Sequence, residues 1–397
     1  MLKVFSGIVM TWVYTHYYTS RQTADTFKYF DDSKILFEAL FTHPSHFFQM
    51  LTGFHADADY LFPYYDSMIS WYNKVTPYND NRTVIRLNAL MRFFSNGYYQ
   101  VHNVFFCFLS FAGLTALLKV FIQELPARKK QLFVAVFLLP SVLFWGSGVL
   151  KDGFIFFVLG FALYFYSLFL KNQSKAKYFL LSVFFILLLW ITKFHICLAA
   201  FPGFVALYLV RSNHRFIWAK FAVVYFILFL LVINAYRIFP QYNFLSFLVE
   251  KQKQFIELAS VSQAGSAIQL SQLEPSVTGV IRNMPEALVN TFFRPHILEA
   301  KSSLMILSAI ENAFIVLSMV ICMVTIDRSL LNKPLIIFSV FYILSLFISI
   351  GLVTTVLGAV VRYRTQGLPF LFFIFIAISD KNKLLKILPF LKRVLND

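Results

Sequence analysis

Ten stretches of this sequence are apolar for long enough that water cannot be their only surroundings. They run near residues 3–19, 99–122, 131–149, 153–170, 178–192, 195–210, 217–236, 303–325, 334–357 and 361–379. A bilayer's hydrocarbon core takes roughly 20 apolar residues of helix. Inside it every backbone N–H and C=O must find a partner within the protein, which helices achieve by themselves. The expected fold class is therefore all-α, a polytopic transmembrane helix bundle of about ten spans. Composition agrees, with 59% hydrophobic and only 14% charged residues among 397 and a mean hydropathy of +0.68. A soluble domain carries about 25% charged residues. A soluble enzyme and a disordered chain are excluded.

The net charge of +16 could suggest a nucleic-acid partner, but its distribution points elsewhere. With the N-terminus placed inside, five short tracts fall on the cytoplasmic face. They hold Arg128, Lys129 and Lys130; Lys171, Lys175 and Lys177; Arg211, Arg215 and Lys220; Arg328 and Lys333; and Lys381, Lys383, Lys386, Lys392 and Arg393. Lys3 and Lys119 join them, against only Glu124, Asp327, Asp380 and Asp397, so this face carries a net +14 and the other +2. Basic inner loops set orientation. The charge reports topology, and no nucleic-acid partner is expected.

Cys107, Cys197 and Cys322 all fall in apolar spans and read as small packing residues without a disulfide framework. The N-terminal stretch has one basic residue, Lys3, and no small-residue cleavage site, so it reads as a retained span. The expected localisation is a membrane, the bacterial inner membrane, with both termini cytoplasmic.

The whole of 1–397 reads as one integral membrane domain: an N-terminal module to 236, a second outer loop at 237–302, and C-terminal spans at 303–397. The first outer loop, 20–98, alternates polar residues with apolar ones at helical spacing. Leu36, Phe37, Leu40 and Phe41 make one stripe, Tyr60, Leu61, Tyr64, Met68 and Trp71 a second, and Ile85 to Phe94 a third. Such segments can lie in a membrane interface, and Pro44, Pro63 and Pro77 punctuate them. In the second outer loop, Ser260 to Thr278 reads as flexible and Pro285 to Pro295 as a short amphipathic helix.

The candidate functional residues stand at the outer ends of spans. Asp25 follows the first span, and a helix there would put Asp25, Tyr29 and Asp32 on one face. A carboxylate held just above the membrane could take a proton from an incoming hydroxyl; the competing reading of Asp25, Asp31 and Asp32 is a helix cap with solvated charges. The turn Trp145 to Gly153 carries Lys151 and Asp152. Lys193 and His195 occupy a very short turn, Arg294 and His296 precede the eighth span, and Glu311 lies within it. Arg362 and Arg364 open the last span two positions apart, so they point different ways and one faces inward. Spans four, six, eight and ten begin on this face and bring their positive dipole ends to it. Lys151, Lys193, His195, Arg294, Arg362 and Arg364 would thus form a cradle for phosphate. His55, Asp57 and Asp59 have the composition of a metal cluster but read better as a solvated loop.

In layout the chain resembles the GT-C superfamily of polyprenyl-phosphate-dependent glycosyltransferases. The resemblance lies in a first span, a long outer loop with Asp25, Asp31 and Asp32, many spans with short inner loops, and Arg362 and Arg364 near the end. It implies an early acidic residue of that loop as the catalytic base, which maps onto Asp25 or onto Asp31 and Asp32. It also implies a polyprenyl-phosphate-linked sugar donor and a glycan, lipid or protein acceptor on the periplasmic face, with membrane lipids around the protein. The only cofactor with a place in this reading is a divalent cation, magnesium or manganese, at Asp31 or Asp32. The chain departs from the pattern in having only 381–397 after the last span. Ser147 to Asp152 and Arg362 to Arg364 are also similar to bacterial O-antigen and exopolysaccharide polymerases. A transporter or channel is the third reading, and an acyltransferase or structural protein the remaining one.

Overall fold

The computed structural model describes residues 1–18, 20–71, 79–171, 176–261 and 265–389. Pro77, Lys175, Lys392, Arg393 and Asp397, which entered the sequence reading, lie outside the described residues. The protein is all-helical, 79% helix with no strand among the described residues. Among the described residues five helices are long and apolar enough to cross a membrane: Tyr99–Glu124, Lys151–Lys171, Ile217–Arg237, Ser303–Val324 and Pro334–Val353. A sixth is counted if Leu357–Arg364 and Leu368–Ile378, bent by 61° at their break, make one span.

The other four of the ten expected spans are shorter as helices. Leu2–His16 has 15 residues, and Ala176–Thr192 and Phe194–Val210 have 17 each. At 1.5 Å per residue these reach roughly 22 to 26 Å, short of a core of about 30 Å. The stretch 131–149 divides into Lys129–Phe137 and Pro140–Trp145, because Pro140 lacks the N–H that would continue the first helix.

The chain divides into two compact units. The first comprises Met1–Leu117, Val142–Phe169 and Ser174–Phe194; the second comprises Leu118–Ser141, Leu170–Gln173 and His195–Asp397.

In the first unit, Asp25–Thr42 packs against Pro44–Thr52 and Asn81–Ser95. Their apolar stripes bury Phe27, Phe30, Leu36, Val84, Ile85 and Ala89. Polar ties reinforce this layer. Arg92 donates from Nε to Ser33 Oγ at 2.8 Å, and the buried His102 ring joins Asn88 Oδ1 at 2.8 Å to Ser95 Oγ at 2.7 Å. Tyr99–Glu124 and Lys151–Lys171 touch backbone to backbone where Gly113 meets Gly160, a contact any side chain would block.

In the second unit, Pro334–Val353 is the central helix, with 61% of its apolar window buried. It packs on Val277–Phe293, Phe244–Val261, Ile217–Asn234 and Leu368–Ile378. The outer faces of Ile217–Arg237 and Ser303–Val324 stay apolar but exposed, with 22% and 28% buried. Surfaces this large and greasy belong against lipid.

Two expectations for the second outer loop change. Described residues 265–276 form no helix but are tied by hydrogen bonds to the helices around them. Ile268 N–H donates to Thr355 O at 2.7 Å, and the buried Gln252 amide bonds Ser271 O, Leu352 O and Leu273 N–H at 3.1, 2.9 and 2.9 Å. The amphipathic helix is Val277–Phe293, which begins well before Pro285 because Ser276 caps it, its Oγ accepting from Gly279 N–H at 3.0 Å.

Candidate functional site

The strongest concentration of buried charge in the first unit is centred on Asp80. Its carboxylate bridges two ammonium groups, accepting from Lys151 Nζ at 2.7 Å and Lys193 Nζ at 3.2 Å. The side chains of Lys151, Lys193 and Asp80 are only 8, 16 and 25% exposed. Local sequence explains how each residue arrives there. Lys151 opens its helix after a turn in which Gly148 adopts a φ of +89°, a conformation that favours glycine. That turn is anchored from the N-terminal helix, whose Lys3 Nζ donates to Gly146 O at 3.0 Å.

Lys193 occupies the single-residue break between Ala176–Thr192 and Phe194–Val210. Its backbone N–H closes on Leu189 O at 2.8 Å, and Thr83 Oγ1 bonds Ile191 O at 3.0 Å, tying this end to the Asn81–Ser95 helix. Asp80 stands at the N-cap of that helix but makes no capping hydrogen bond. An aspartate there normally contributes about 1 kcal/mol through the first-turn N–H groups; this one turns to the lysines instead. Burial works to push its carboxyl up, but the Lys193 and Lys151 ammonium groups outweigh it and hold the group well below the usual carboxylate range.

The helix Asp25–Thr42 supplies the other wall. The Tyr29 ring faces Lys151 Nζ at 5.7 Å, and Tyr29 Oη donates to Asn81 Oδ1 at 3.1 Å. Asp25, half-buried in the first turn of the same helix, acts electrostatically on Lys151. The structure thus brings Lys151 and Lys193 together on Asp80, with Asp25 close enough for its charge to act on Lys151. Asp80 and Asn81 were not singled out from sequence. The signal was the polar run Asn79-Asp80-Asn81 before an amphipathic stretch, which by itself reads as a helix start.

Asp31 and Asp32 have other partners. Asp31 accepts a two-pronged bond from Arg21 Nε and Nη2 at 2.8 and 2.7 Å on the surface. Asp32 is buried, and its two oxygens accept from Ile69 and Ser70 N–H at 2.8 and 2.6 Å. Burial pushes its carboxyl up in spite of those donors. Among the described residues no three His, Cys, Asp or Glu side chains gather as a metal-ligand set. Asp57 of the His55–Asp59 cluster pairs with Arg82 at 2.9 Å.

His195, Arg294, Arg362 and Arg364 belong to the second unit, so the expected ring of cations divides between two units. Within this one, Arg364 is 1% exposed and Arg362 is half-buried. Arg364 Nη1 donates to Thr291 O at 2.8 Å, Arg294 O at 2.9 Å and Asn312 Oδ1 at 2.8 Å. Two of these acceptors are carbonyls at the C-terminal end of Val277–Phe293, where the helix has no donors of its own.

Arg294 bonds Glu299 Oε1 from Nε at 2.6 Å and Asn290 Oδ1 from Nη1 at 3.1 Å, and His296 meets the same Glu299. The His195 ring lies edge-on to Tyr363, centroids 6.5 Å apart. Glu311 accepts from the N–H and Oγ of Ser141, the N–H at 2.9 Å, capping the helix Pro140–Trp145. A separate polar cleft of about 390 Å³, lined by Ser271, Gln272, Glu274, Thr278, Arg282 and Asn283, holds none of the predicted residues. The chain matches no protein-family model, and no curated protein and no solved structure is significantly similar to it.

Proposed function

We propose that this protein is an integral membrane glycosyltransferase that moves a sugar from a polyprenyl-phosphate donor to an acceptor hydroxyl on the periplasmic face of the bacterial inner membrane, both termini being cytoplasmic. The observation that carries the reading is one cluster, which combines Asp25 with Lys151 and Lys193 at the ends of apolar helices. Asp25 accepts the proton of the acceptor hydroxyl as its oxygen attacks the anomeric carbon. The bond from that carbon to the phosphate oxygen breaks, and polyprenyl phosphate leaves with the electron pair. Charge grows on the phosphate during this step, and two ammonium groups held out of water stabilise it more than they stabilise the bound donor.

Asp25 is preferred to Asp31 and Asp32 because its charge acts on Lys151, whereas Asp31 pairs with Arg21 and Asp32 with the Ile69 and Ser70 N–H groups, away from the two lysines. Lys151 and Lys193 are preferred as phosphate ligands because they stand with Asp25 in the first unit. Arg294 instead serves Glu299 and Asn290, and Arg364 commits Nη1 to helix-end carbonyls while its Nε and Nη2 are buried without a partner among the described residues. Identification of the lipid that co-purifies with the protein tests this reading. Mass spectrometry should find polyprenyl phosphate or its glycosylated form, lost in a Lys151→Met, Lys193→Met variant. Phospholipids alone, with no transfer from a polyprenyl-phosphate sugar in vitro, would overturn it.

The second reading is a transporter, favoured by the 61° break beside the buried Arg364. Broken helices carry the binding sites of many transporters. A polymerase of lipid-linked repeat units would use the same donor chemistry as the transferase, and its product, a lengthened glycan, separates the two.

A further inference from the structure

The Asp80 bridge is more than a salt bridge between neighbours. Each of its two oxygens takes one ammonium group, Oδ1 from Lys151 at 2.7 Å and Oδ2 from Lys193 at 3.2 Å. Two cations that grip separate oxygens of one carboxylate are spaced to grip two oxygens of one phosphate, since both anions present paired oxygens on a single centre. Asp80 already answers one of the two lysine charges, and the carboxylates of Asp25 and Asp152 lie on the elements that carry the cluster. A phosphate added with Asp80 still in place would leave uncompensated negative charge in a buried cluster, which is unfavourable. Asp80 is also the most exposed of the three bridging side chains, at 25%, and its helix does not use it as a cap. Leaving the lysines costs that helix no capping bond.

We propose that Asp80 is a resident stand-in for the substrate's phosphate: it holds Lys151 and Lys193 together in the empty site and is displaced when a phosphate binds them. This deepens the reading of the two lysines as phosphate ligands and rests on it. Asp80 is then a positioning residue that competes with the ligand. It sets how tightly phosphate is held, and it returns to the lysines when the lipid phosphate departs, which favours product release.

The test is the affinity of the full-length protein in detergent for two probes, polyprenyl phosphate in mixed micelles and inorganic phosphate. Removing the competitor in Asp80→Asn should tighten binding at least tenfold. A merely structural carboxylate would weaken it on removal. Added phosphate should also raise the melting temperature of Asp80→Asn more than that of the wild type, because it fills the place of the missing anion. Adding Lys193→Gln to Asp80→Asn should cancel the gain.

If the asparagine variant does not fold, Asp80→Glu serves, since a carboxylate one methylene further out cannot bridge both lysines in the same way. Its affinity should lie above that of the wild type. Binding by the wild type that is unchanged or weaker in the Asp80 variants would overturn the stand-in role and leave the phosphate site standing. A gain that survives Lys193→Gln would overturn it too. No binding of either probe to any variant would overturn both readings, whereas binding seen only without Asp80 supports the proposal. A gain confined to the lipid probe assigns the site to the membrane donor, and an equal gain for inorganic phosphate assigns it to the phosphate group alone; either supports displacement.

Discussion

Arg362 and Arg364 sit two positions apart on one helix, and the structure predicts opposite outcomes when each is replaced by methionine. At Arg364 the change removes a guanidinium whose Nη1 serves three acceptors at 2.8 to 2.9 Å, namely Thr291 O, Arg294 O and Asn312 Oδ1. Each buried acceptor left without a donor costs about 1–3 kcal/mol. Methionine recovers part of the loss by filling the volume with apolar atoms and by removing Nε and Nη2, which are buried without partners among the described residues. The net effect should be about 3–5 kcal/mol, the lower part of the range for three orphaned acceptors. At roughly 2–4 °C per kcal/mol for a unit of this size, the melting temperature should fall by about 10 °C.

Arg362 is half-buried where Arg364 is 1% exposed, and its replacement should cost less than that of Arg364. Thermal unfolding in detergent, followed by tryptophan fluorescence, measures both. Arg364→Lys should fall between wild type and Arg364→Met, because an ammonium group keeps the charge but not the geometry of the guanidinium. Equal melting temperatures for the two methionine variants would refute the argument. So would an Arg364→Met protein that melts normally yet no longer binds polyprenyl phosphate, because Arg364 would then be a ligand and not a clamp on the end of Val277–Phe293.

Asp25→Asn should lower turnover by about 10²–10⁴-fold, the range for a general base, in a protein that still folds and inserts. Asp31→Asn should be nearly silent, since its exposed pair with Arg21 contributes under about 1 kcal/mol, and Asp32→Asn should lower stability because an amide has one acceptor oxygen for two N–H groups. Normal turnover in Asp25→Asn with loss in either of the others would move the base along the loop. Topology predicts that cysteines placed at Ser67 and Ser266 react with an impermeant maleimide in cells with a permeable outer barrier. Cys107, Cys197 and Cys322 are buried and give little background, and protection of both introduced cysteines would invert the orientation. The depressed Asp80 carboxyl makes a pH prediction. Its folded pKa lies below the unfolded value of about 3.9, so its stabilisation is present above that pH and is lost as pH falls below it. The stability gap between wild type and Asp80→Asn should therefore shrink on acidification from pH 6 towards 3, and a gap that widens would contradict the sign.

Among the described residues each of the ten apolar stretches holds helix, because the need to leave water is a property of the stretch itself, but only five or six are long enough to cross a membrane. Span number is harder, since it depends on where a helix stops. Pro140 divides one apolar run, and the helices on either side of Lys193 are 17 residues each. The roles of ionisable residues depend on partners far along the chain. Asp25 and the two lysines could be picked out because a charge beside a membrane span needs a reason. Asp80 sits in a polar run, where an aspartate needs none, and its partner Lys193 lies 113 positions away. The same limit applies to Arg364, whose helix-end carbonyls are about 70 positions distant, and to Gln252, which turns a loop of flexible composition into a fixed one. In each case a long polar side chain supplies hydrogen bonds that a distant backbone or charge lacks. Replacing such a residue should therefore disturb the segment it reaches more than the helix it stands on, and that asymmetry separates a structural tie from a ligand.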